Sequence, residues 1–117
     1  MAYVDGYVLP VAKKHLATYR RLARIAGKVW REHGALEYRE CVGEDLDAKM
    51  LMPFPRAMRI KRGETVIFSW IVFKSRAQRD RINAKVMKDP RMQHDNKDAP
   101  FDGMRLFFGG FKEIVAL

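Results

Sequence analysis

The 117-residue sequence contains a single cysteine, Cys41, and no apolar run that approaches the roughly 20 residues of a membrane-spanning helix. One cysteine excludes an internal disulfide framework and a zinc site built on cysteines. The first residues include no basic leader, and Asp5 interrupts their apolar run, so they differ from a secretory signal peptide. These absences predict a cytoplasmic protein that does not enter a membrane.

Motifs of the common catalytic and nucleotide-binding families are also missing, since the sequence has no GxGxxG, phosphate-loop, GxSxG or HExxH pattern. The histidines, His15, His33 and His94, lack the spacing of metal ligands. Gly34 directly after His33 is typical of the end of a helix, so the position of this histidine is explained without a catalytic role. We therefore expect neither a metal nor another cofactor, and no residue is assigned a catalytic role.

Acidic residues are scarce beside basic ones: 14 aspartates and glutamates face 23 lysines and arginines, for a formal net charge of +9. Segments 13–31 and 74–91 hold seven basic residues each. This distribution favours the solvated faces of two helices. The alternative is a patch for an anionic partner, either a nucleic acid or a small acidic ligand.

Apolar periodicity divides the chain into four strands and two helices. The predicted strands are residues 3–10, 36–42, 64–73 and 104–115, and the predicted helices are residues 13–33 and 75–89. Right-handed crossovers then place each pair of helix-linked strands in parallel with another strand between them. The sequence therefore predicts one α+β domain over residues 1–117, a ferredoxin-like βαββαβ fold with an antiparallel sheet in the order 4-1-3-2. Both helices are expected on one face.

The third predicted strand is apolar on both faces, so both faces of the sheet need cover. We assign Val4, Gly6 and Val8 to the helix side, because small and branched residues let helices approach. The residues assigned to the opposite, open face are Tyr3, Asp5, Tyr7, Tyr38, Glu40, Phe68, Trp70 and Phe107. That many exposed rings exceed what a monomer usually shows, which predicts a homodimer with sheet packed on sheet.

An acidic residue among aromatic rings, Asp5, has two interpretations. It is either an ion-paired structural residue or part of a ligand pocket. The predicted ligand-binding residues are Asp5, Tyr7, Arg39, Trp70 and Phe107. The ligand would be a small aromatic or acidic metabolite held beside the sheet, with the proline-containing segment 53–55 as a possible cover.

Two other functions remain as alternatives. The first is a structural or regulatory homodimer without catalysis. The second, a nucleic-acid-binding module, is disfavoured because the third strand lacks the glycine–aromatic pattern that stacks RNA bases. The basic residues also lie on predicted helices and loops, away from the aromatic residues of the sheet.

Four segments of the chain together resemble the YbaA-like family of small bacterial proteins of unknown function. The segments are MAYVDGYVLPV, KVWREHGALEYRECV, FSWIVFKSRAQRDRINAKVMKDPR and PFDGMRLFFGGF. The resemblance implies a dimeric α/β barrel, in which the sheets of two ferredoxin-like protomers face each other. Proteins of that superfamily include small monooxygenases, muconolactone isomerase-like enzymes and haem-handling proteins. The resemblance supplies no catalytic residue, and segment 92–99 is more polar than it implies.

Overall fold

The computed structural model describes residues 1–47, 49, 51–93 and 100–117. Its strands and helices are β1 (Tyr3–Ala12), α1 (Leu16–Glu32), β2 (Glu37–Val42), α2 (Phe54–Met58), β3 (Glu64–Phe73), α3 (Arg76–Lys88) and β4 (Phe107–Lys112). Most of the polar segment 92–99, with His94, lies outside the described residues. Over the described ranges, none of the helices combines the length and apolarity needed to cross a membrane.

The strands form one antiparallel sheet in the order β2-β3-β1-β4. This is the predicted order 4-1-3-2 read from the other edge, so the predicted topology is confirmed. It follows from two strand–helix–strand units with right-handed crossovers, which place α1 and α3 on the same face of the sheet. The structure is therefore an α+β fold of the ferredoxin-like type.

Local capping residues fix the end of α1 and the start of α3 where the sequence predicted them, whereas residues Lys13–His15 form a 3₁₀ turn before α1. Gly34 follows α1 with a φ of 119°, a conformation that side-chain-bearing residues rarely adopt. His33 is the C-cap residue of α1, as predicted, and its ring lies 3.0 Å from Asp89 at the end of α3. The Ser75 hydroxyl accepts a hydrogen bond of 3.2 Å from the Gln78 amide and starts α3.

The long connection between β2 and β3 contains α2, a five-residue helix that the apolar pattern did not predict. Pro53 enters it in an extended conformation, and Arg59, with a φ of 53°, ends it. Met58 is buried, and the Phe54 ring centre lies 6.2 Å from that of Phe68 on β3. The connection therefore packs one short helix against the sheet face opposite α1 and α3.

The core lies between the sheet and the two long helices and contains two clusters of buried side chains. The first consists of Val29, Trp30, Ala35, Ile71, Phe73, Ile82 and Val86. The second consists of Leu9, Val11, Tyr19, Ala23 and Ile67. The apolar pattern of β3 predicts that Ile67, Ile71 and Phe73 belong to the protomer core, and their burial confirms this.

The predicted orientation of β1 was wrong. Asp5 is 0% exposed, and the strand register pairs it with Ile71, a core residue of β3. Cross-strand partners share a face of the sheet, so Asp5 points towards the helices. Tyr3 and Tyr7 share that side, whereas the alternate β1 residues, Val4, Gly6 and Val8, lie on the open face. The prediction rested on the small size of Val4, Gly6 and Val8. It failed because α3 supplies Arg79, a basic partner that lets the Asp5 carboxylate be buried.

The predicted orientation of β2 was also wrong, because its register with β3 places the opposite set of β2 residues against the helices. Tyr38 packs against Trp30 of α1 with ring centres 6.0 Å apart, and Glu40 accepts a hydrogen bond from Tyr19 of α1. Both residues therefore face the helices. The residues correctly assigned to the open face are Phe68, Trp70 and Phe107.

The last strand is shorter than predicted, and its glycines do not form a bulge. Residues Gly103–Arg105 form a 3₁₀ turn before β4 begins. Gly109 and Gly110 pair in continuous register with Gly6 and Asp5 of β1. A Cβ on Gly110 would lie 2.5 Å from the Tyr3 hydroxyl oxygen, so this glycine permits a close approach of the Tyr3 side chain to β4.

Candidate functional site

The five residues predicted to bind a ligand lie on two faces of the sheet. Asp5 and Tyr7 face the helices, whereas Arg39, Trp70 and Phe107 belong to the open side. At the edge of the open face, Arg39 and the Trp70 indole both donate to the carboxylate of Glu37, over 2.6 and 3.2 Å. One protomer does not bring the five residues into a single pocket, and their role in ligand binding stays a prediction.

Asp5 belongs to a buried polar network that ties β1 to α3. The Asn83 amide donates to one Asp5 oxygen over 3.3 Å, and Arg79 Nη1 lies 3.5 Å from the other. The Trp30 indole donates to the Asn83 carbonyl over 2.9 Å. The Arg79 guanidinium lies 4.9 Å from the centre of the Tyr3 ring, within the range of a cation–π contact. These contacts support the structural interpretation of Asp5.

The charge of this network is only partly compensated. Burial raises the pKa of Asp5, although the Asn83 hydrogen bond and the Arg79 charge each act to lower it. Asp5 Oδ1 has no hydrogen-bond partner among the described residues, so Arg79 stabilises it by proximity of charge. The Arg79 side chain, predicted as part of a solvated helix face, is only 15% exposed. That prediction was wrong for Arg79.

A second polar group lies between α1 and β2 and is called here the tyrosine–glutamate cluster: Tyr19, Tyr38 and Glu40. The Tyr19 hydroxyl donates to Glu40 Oε1 over 2.8 Å, and the Tyr38 hydroxyl donates to Oε2 over 2.6 Å. Burial raises the pKa of both tyrosines, and the Glu40 charge raises it further. Both phenols therefore stay protonated at neutral pH, and each carboxylate oxygen has one donor.

The tyrosine–glutamate cluster separates two cavities. The outer one, the α1–β2 groove, has a volume of about 710 Å³ and is lined by Leu16, Tyr19, Arg20, Ala23, Arg24, Gly27, Lys28, Arg31, Tyr38, Glu40, Cys41, Val42 and Ile67. The inner cavity, of about 110 Å³, is lined by Tyr7, Leu9, Tyr19, Trp30, Tyr38, Glu40, Ser69, Ile71, Phe101 and Leu106. All three residues of the cluster line both cavities. The groove has the size of a small-molecule site, whereas the inner cavity has room for a few waters at most.

Gly27 shapes the wall of the groove. A Cβ on this residue would lie 2.7 Å from Cδ1 of the Tyr38 ring, so the absence of a side chain lets the ring rest against α1. Trp30 packs against the same ring, with ring centres 6.0 Å apart. The position of the Tyr38 hydroxyl on Glu40 therefore depends on a glycine in the middle of a helix, where glycine is otherwise unfavourable.

Gly27→Ala is expected to destabilise the protein by about 1 kcal/mol. Alanine gains about 1 kcal/mol of helix propensity, but overpacking a core contact costs about 1–3 kcal/mol. Gly103→Ala is the matched control, since a Cβ there would meet nothing within 4 Å. Urea unfolding measures both variants. A Gly27→Ala protein more stable than wild type would contradict the packing described for Tyr38.

The open face carries a second groove, of about 620 Å³, and its lining is almost entirely apolar. The lining residues are Val4, Gly6, Tyr7, Val8, Phe68, Trp70, Val72, Phe107, Phe108, Gly109 and Phe111. Four of the phenylalanine rings are about half exposed. Phe68 at 46%, Phe107 at 53% and Phe111 at 60% belong to the open face, whereas Phe108 at 54% pairs with Tyr7 of the helix-facing side. With few polar groups to orient a ligand, this surface is better suited to packing than to recognition of a metabolite.

Sequence reasoning missed the tyrosine–glutamate cluster as a site. The apolar spacing of residues 13–33 explains Tyr19 as part of the buried stripe of a helix, and Glu40 was predicted on the opposite face of the sheet. A buried tyrosine hydroxyl needs a hydrogen-bond partner, so the presence of Tyr19 in the buried stripe of α1 indicated an acceptor on the element packed against this helix. Among the described residues, no three His, Cys, Asp or Glu side chains form a potential metal-binding group.

Comparisons with known proteins place this geometry in context. Residues 2–103 match a protein family described as "Protein of unknown function (DUF1428)". The chain is 39% identical over 115 residues to the uncharacterized protein YbaA of Escherichia coli (strain K12), over 98% of each chain. The protein of the same name from Shigella flexneri gives the same values.

Among solved structures, the de novo designed protein Foldit4 aligns with a TM-score of 0.50 and 10% sequence identity. The alignment covers 97% of this chain and 100% of the designed one. At such low identity the likeness concerns the fold alone. It agrees with the α+β topology of the sheet and helices and carries no information on activity.

Proposed function

We propose a function from the geometry of the chain itself, because the chain belongs to the DUF1428 family, which has no known function. This is the YbaA-like family that its residues resemble. The protein is a cytoplasmic homodimer that binds a small aromatic or acidic metabolite in the α1–β2 groove of each protomer. The α1–β2 groove, with a volume of about 710 Å³ and with Tyr19, Tyr38 and Glu40 hydrogen-bonded to one another in its wall, carries this proposal. The exposed, single Cys41 supports the cytoplasmic part, since disulfide-stabilised folds are rare there.

The groove combines the two properties that ligand sites share. Most of its lining is apolar, including Ala23, Val42 and Ile67, and a few polar groups converge on one part of its wall. Glu40 and the two tyrosines are ordered by their mutual hydrogen bonds, so a ligand would meet preorganised polar atoms. The predicted ligand class is retained, while the site moves from the residues first proposed to the groove beside β2.

The homodimer is supported by the apolar surface of the open face. An aromatic side chain covers about 150–250 Å², so the three half-exposed phenylalanines offer roughly 300 Å² per protomer. Burying twice this area at about 25 cal/mol/Å² contributes roughly 15 kcal/mol, against an association cost of about 4–15 kcal/mol. The valines and Trp70 of the same groove extend the contact towards the roughly 800 Å² per partner of a standard interface.

A second copy of the chain fits this surface better than an unrelated partner. The centre of the face is apolar, and at its edge Glu37 and Arg39 present charges of opposite sign two residues apart. In a twofold interface the same patch meets itself, and an edge that carries both signs of charge avoids placing only like charges against each other. The alternative function, a structural or regulatory homodimer without a ligand, shares this interface.

We expect light scattering to give twice the 13.6 kDa mass of one chain. The measurement covers a dilution series, because the dimer is expected to dissociate only at low concentration. A mass of one chain at every concentration would overturn the homodimer and leave the groove to be tested separately.

A thermal-shift screen against aromatic and acidic metabolites tests the groove. A ligand is expected to raise the Tm of wild type. Tyr38→Phe is expected to reduce that shift, because it removes a hydroxyl from the wall of the groove and one of the two hydrogen bonds that order Glu40. Tyr3→Phe is the matched control, since it removes a hydroxyl that is not part of the groove. If no compound moves the wild-type Tm, the ligand-free homodimer becomes the better description.

A further inference from the structure

We infer that the ligand of the α1–β2 groove is an anionic amphiphile, meaning an apolar chain or ring system with one negatively charged head group. This inference rests on the proposed function, because it names the ligand class of the same groove. It is carried by two features of the groove: an apolar floor that the protein leaves partly uncovered, and a row of basic residues along its rim.

The floor lies where α1 leaves part of β2 uncovered. Val42 pairs with Ile67 and shares its helix-facing side, yet Val42 is 49% exposed whereas Ile67 is buried. Ala23 of α1 also lines the groove, and its small side chain leaves space above the strand. An apolar surface of this kind favours an apolar ligand body, since its burial removes both surfaces from water.

The rim consists of Arg20, Arg24, Lys28 and Arg31, which recur every three or four residues and therefore lie on one side of α1. Arg31 donates to backbone carbonyls beyond the helix end. Arg20, Arg24 and Lys28 are exposed and form no ion pair with an acid of the described part of the chain.

Like charges one turn apart destabilise a helix by a few tenths of a kcal/mol per pair. The rim therefore opposes the stability of α1, whereas an anion placed beside it would be attracted to several residues at once. This complementarity favours a negatively charged ligand over a neutral or cationic one.

The one acid of the groove does not prevent this assignment. Both oxygens of Glu40 accept hydrogen bonds from tyrosines that also line the inner cavity, so its charge is satisfied at the inner wall. The head group would lie at the rim beside Arg20 and Arg24, and the apolar body would cover Val42. The ligand thus spans the groove with its charge outermost, where water also solvates it.

Isothermal titration with decanoate, decanol and decyltrimethylammonium tests the inference, because the three probes share one chain and differ in head-group charge. Decanoate is expected to bind, decanol about tenfold more weakly, and the cation more weakly still. Equal affinity for decanoate and decanol would overturn the assignment of the charge, and preference for the cation would overturn it outright.

The variant Arg20→Gln/Arg24→Gln is expected to lower decanoate affinity about tenfold and to leave decanol binding unchanged. Arg21→Gln/Arg76→Gln removes the same net charge from exposed residues outside the groove and is the matched control. Equal losses in the two double variants would show a long-range charge effect and overturn the role of the rim.

Two further outcomes separate this inference from the proposed function. If a metabolite binds in a Tyr38-dependent way but decanoate does not bind, the inference fails and the proposed function stands. If neither binds, the inference and the ligand-binding part of the proposed function both fail. Co-sedimentation with phosphatidylglycerol vesicles, without binding of free decanoate, would show that the rim recognises a membrane surface and would overturn the inference.

Discussion

Replacement of Arg79 by methionine is expected to lower the free energy of unfolding by about 3 kcal/mol at pH 7. Arg79 is the basic partner of Asp5, which is 0% exposed and pairs across from a core residue of β3. Methionine retains much of the packing volume but leaves a buried carboxylate with Asn83 as its remaining polar partner. The loss corresponds to a decrease in Tm on the order of 10 °C.

The penalty is expected to shrink as the pH falls. Burial raises the folded-state pKa of Asp5 above its ordinary value of 3.8, so the folded protein binds a proton that the unfolded chain does not. Protonation of Asp5 therefore removes the cost of its buried charge, and the free energy of unfolding rises as the pH falls through the raised pKa. Loss of Arg79 removes a charge that lowers this pKa, so the variant gains more from acidification than wild type does.

Urea unfolding at pH 7 and pH 5 checks both the size and the pH dependence of the Arg79→Met effect. Arg76→Met is the control, because it removes an exposed arginine from the first turn of the same helix and is expected to change stability by less than about 0.5 kcal/mol. A loss below about 1 kcal/mol, or an equal loss at the two pH values, would contradict the buried ion pair.

The same ion pair explains which part of the fold the sequence could not predict. Strand and helix periodicities are local, and right-handed crossovers then leave few topologies, so the sheet order was predictable. Which face of a strand is buried depends on register, and a shift of one residue exchanges the faces. Asp5 and Arg79 lie 74 residues apart in sequence, so the local pattern of β1 gives no sign of the partner that lets this acid be buried.

The candidate site was harder to predict because it depends on space that side chains leave empty. The identity of Gly27 gives no sign that a Tyr38 ring rests against it, and Tyr19 meets Glu40 only after α1 crosses over the sheet. α2 was missed because five residues are too few to show a helical period. By contrast, the two-sided apolar character of β3 was readable, and Phe68 and Trp70 do lie on the open face.

Replacement of Phe111 by glutamate is expected to weaken the proposed homodimer by at least about 100-fold in Kd, or roughly 2.7 kcal/mol. Phe111 is 60% exposed, and its ring lies over Gly6 and Gly109 on the open face. A glutamate here would be buried without a partner in each protomer of a sheet-to-sheet dimer. In the isolated protomer the same side chain stays in water, so the fold is expected to persist.

Sedimentation velocity measures the effect, with circular dichroism to check that the fold is retained. Met87→Glu is the matched control, because Met87 is 57% exposed on α3, which packs on the other face of the sheet. If Phe111→Glu keeps the mass of two chains, the interface lies elsewhere. If both variants dissociate, added negative charge is the cause, and the open face loses its support as the interface. Dissociation of Phe111→Glu alone would identify the apolar open face as the surface through which two chains associate.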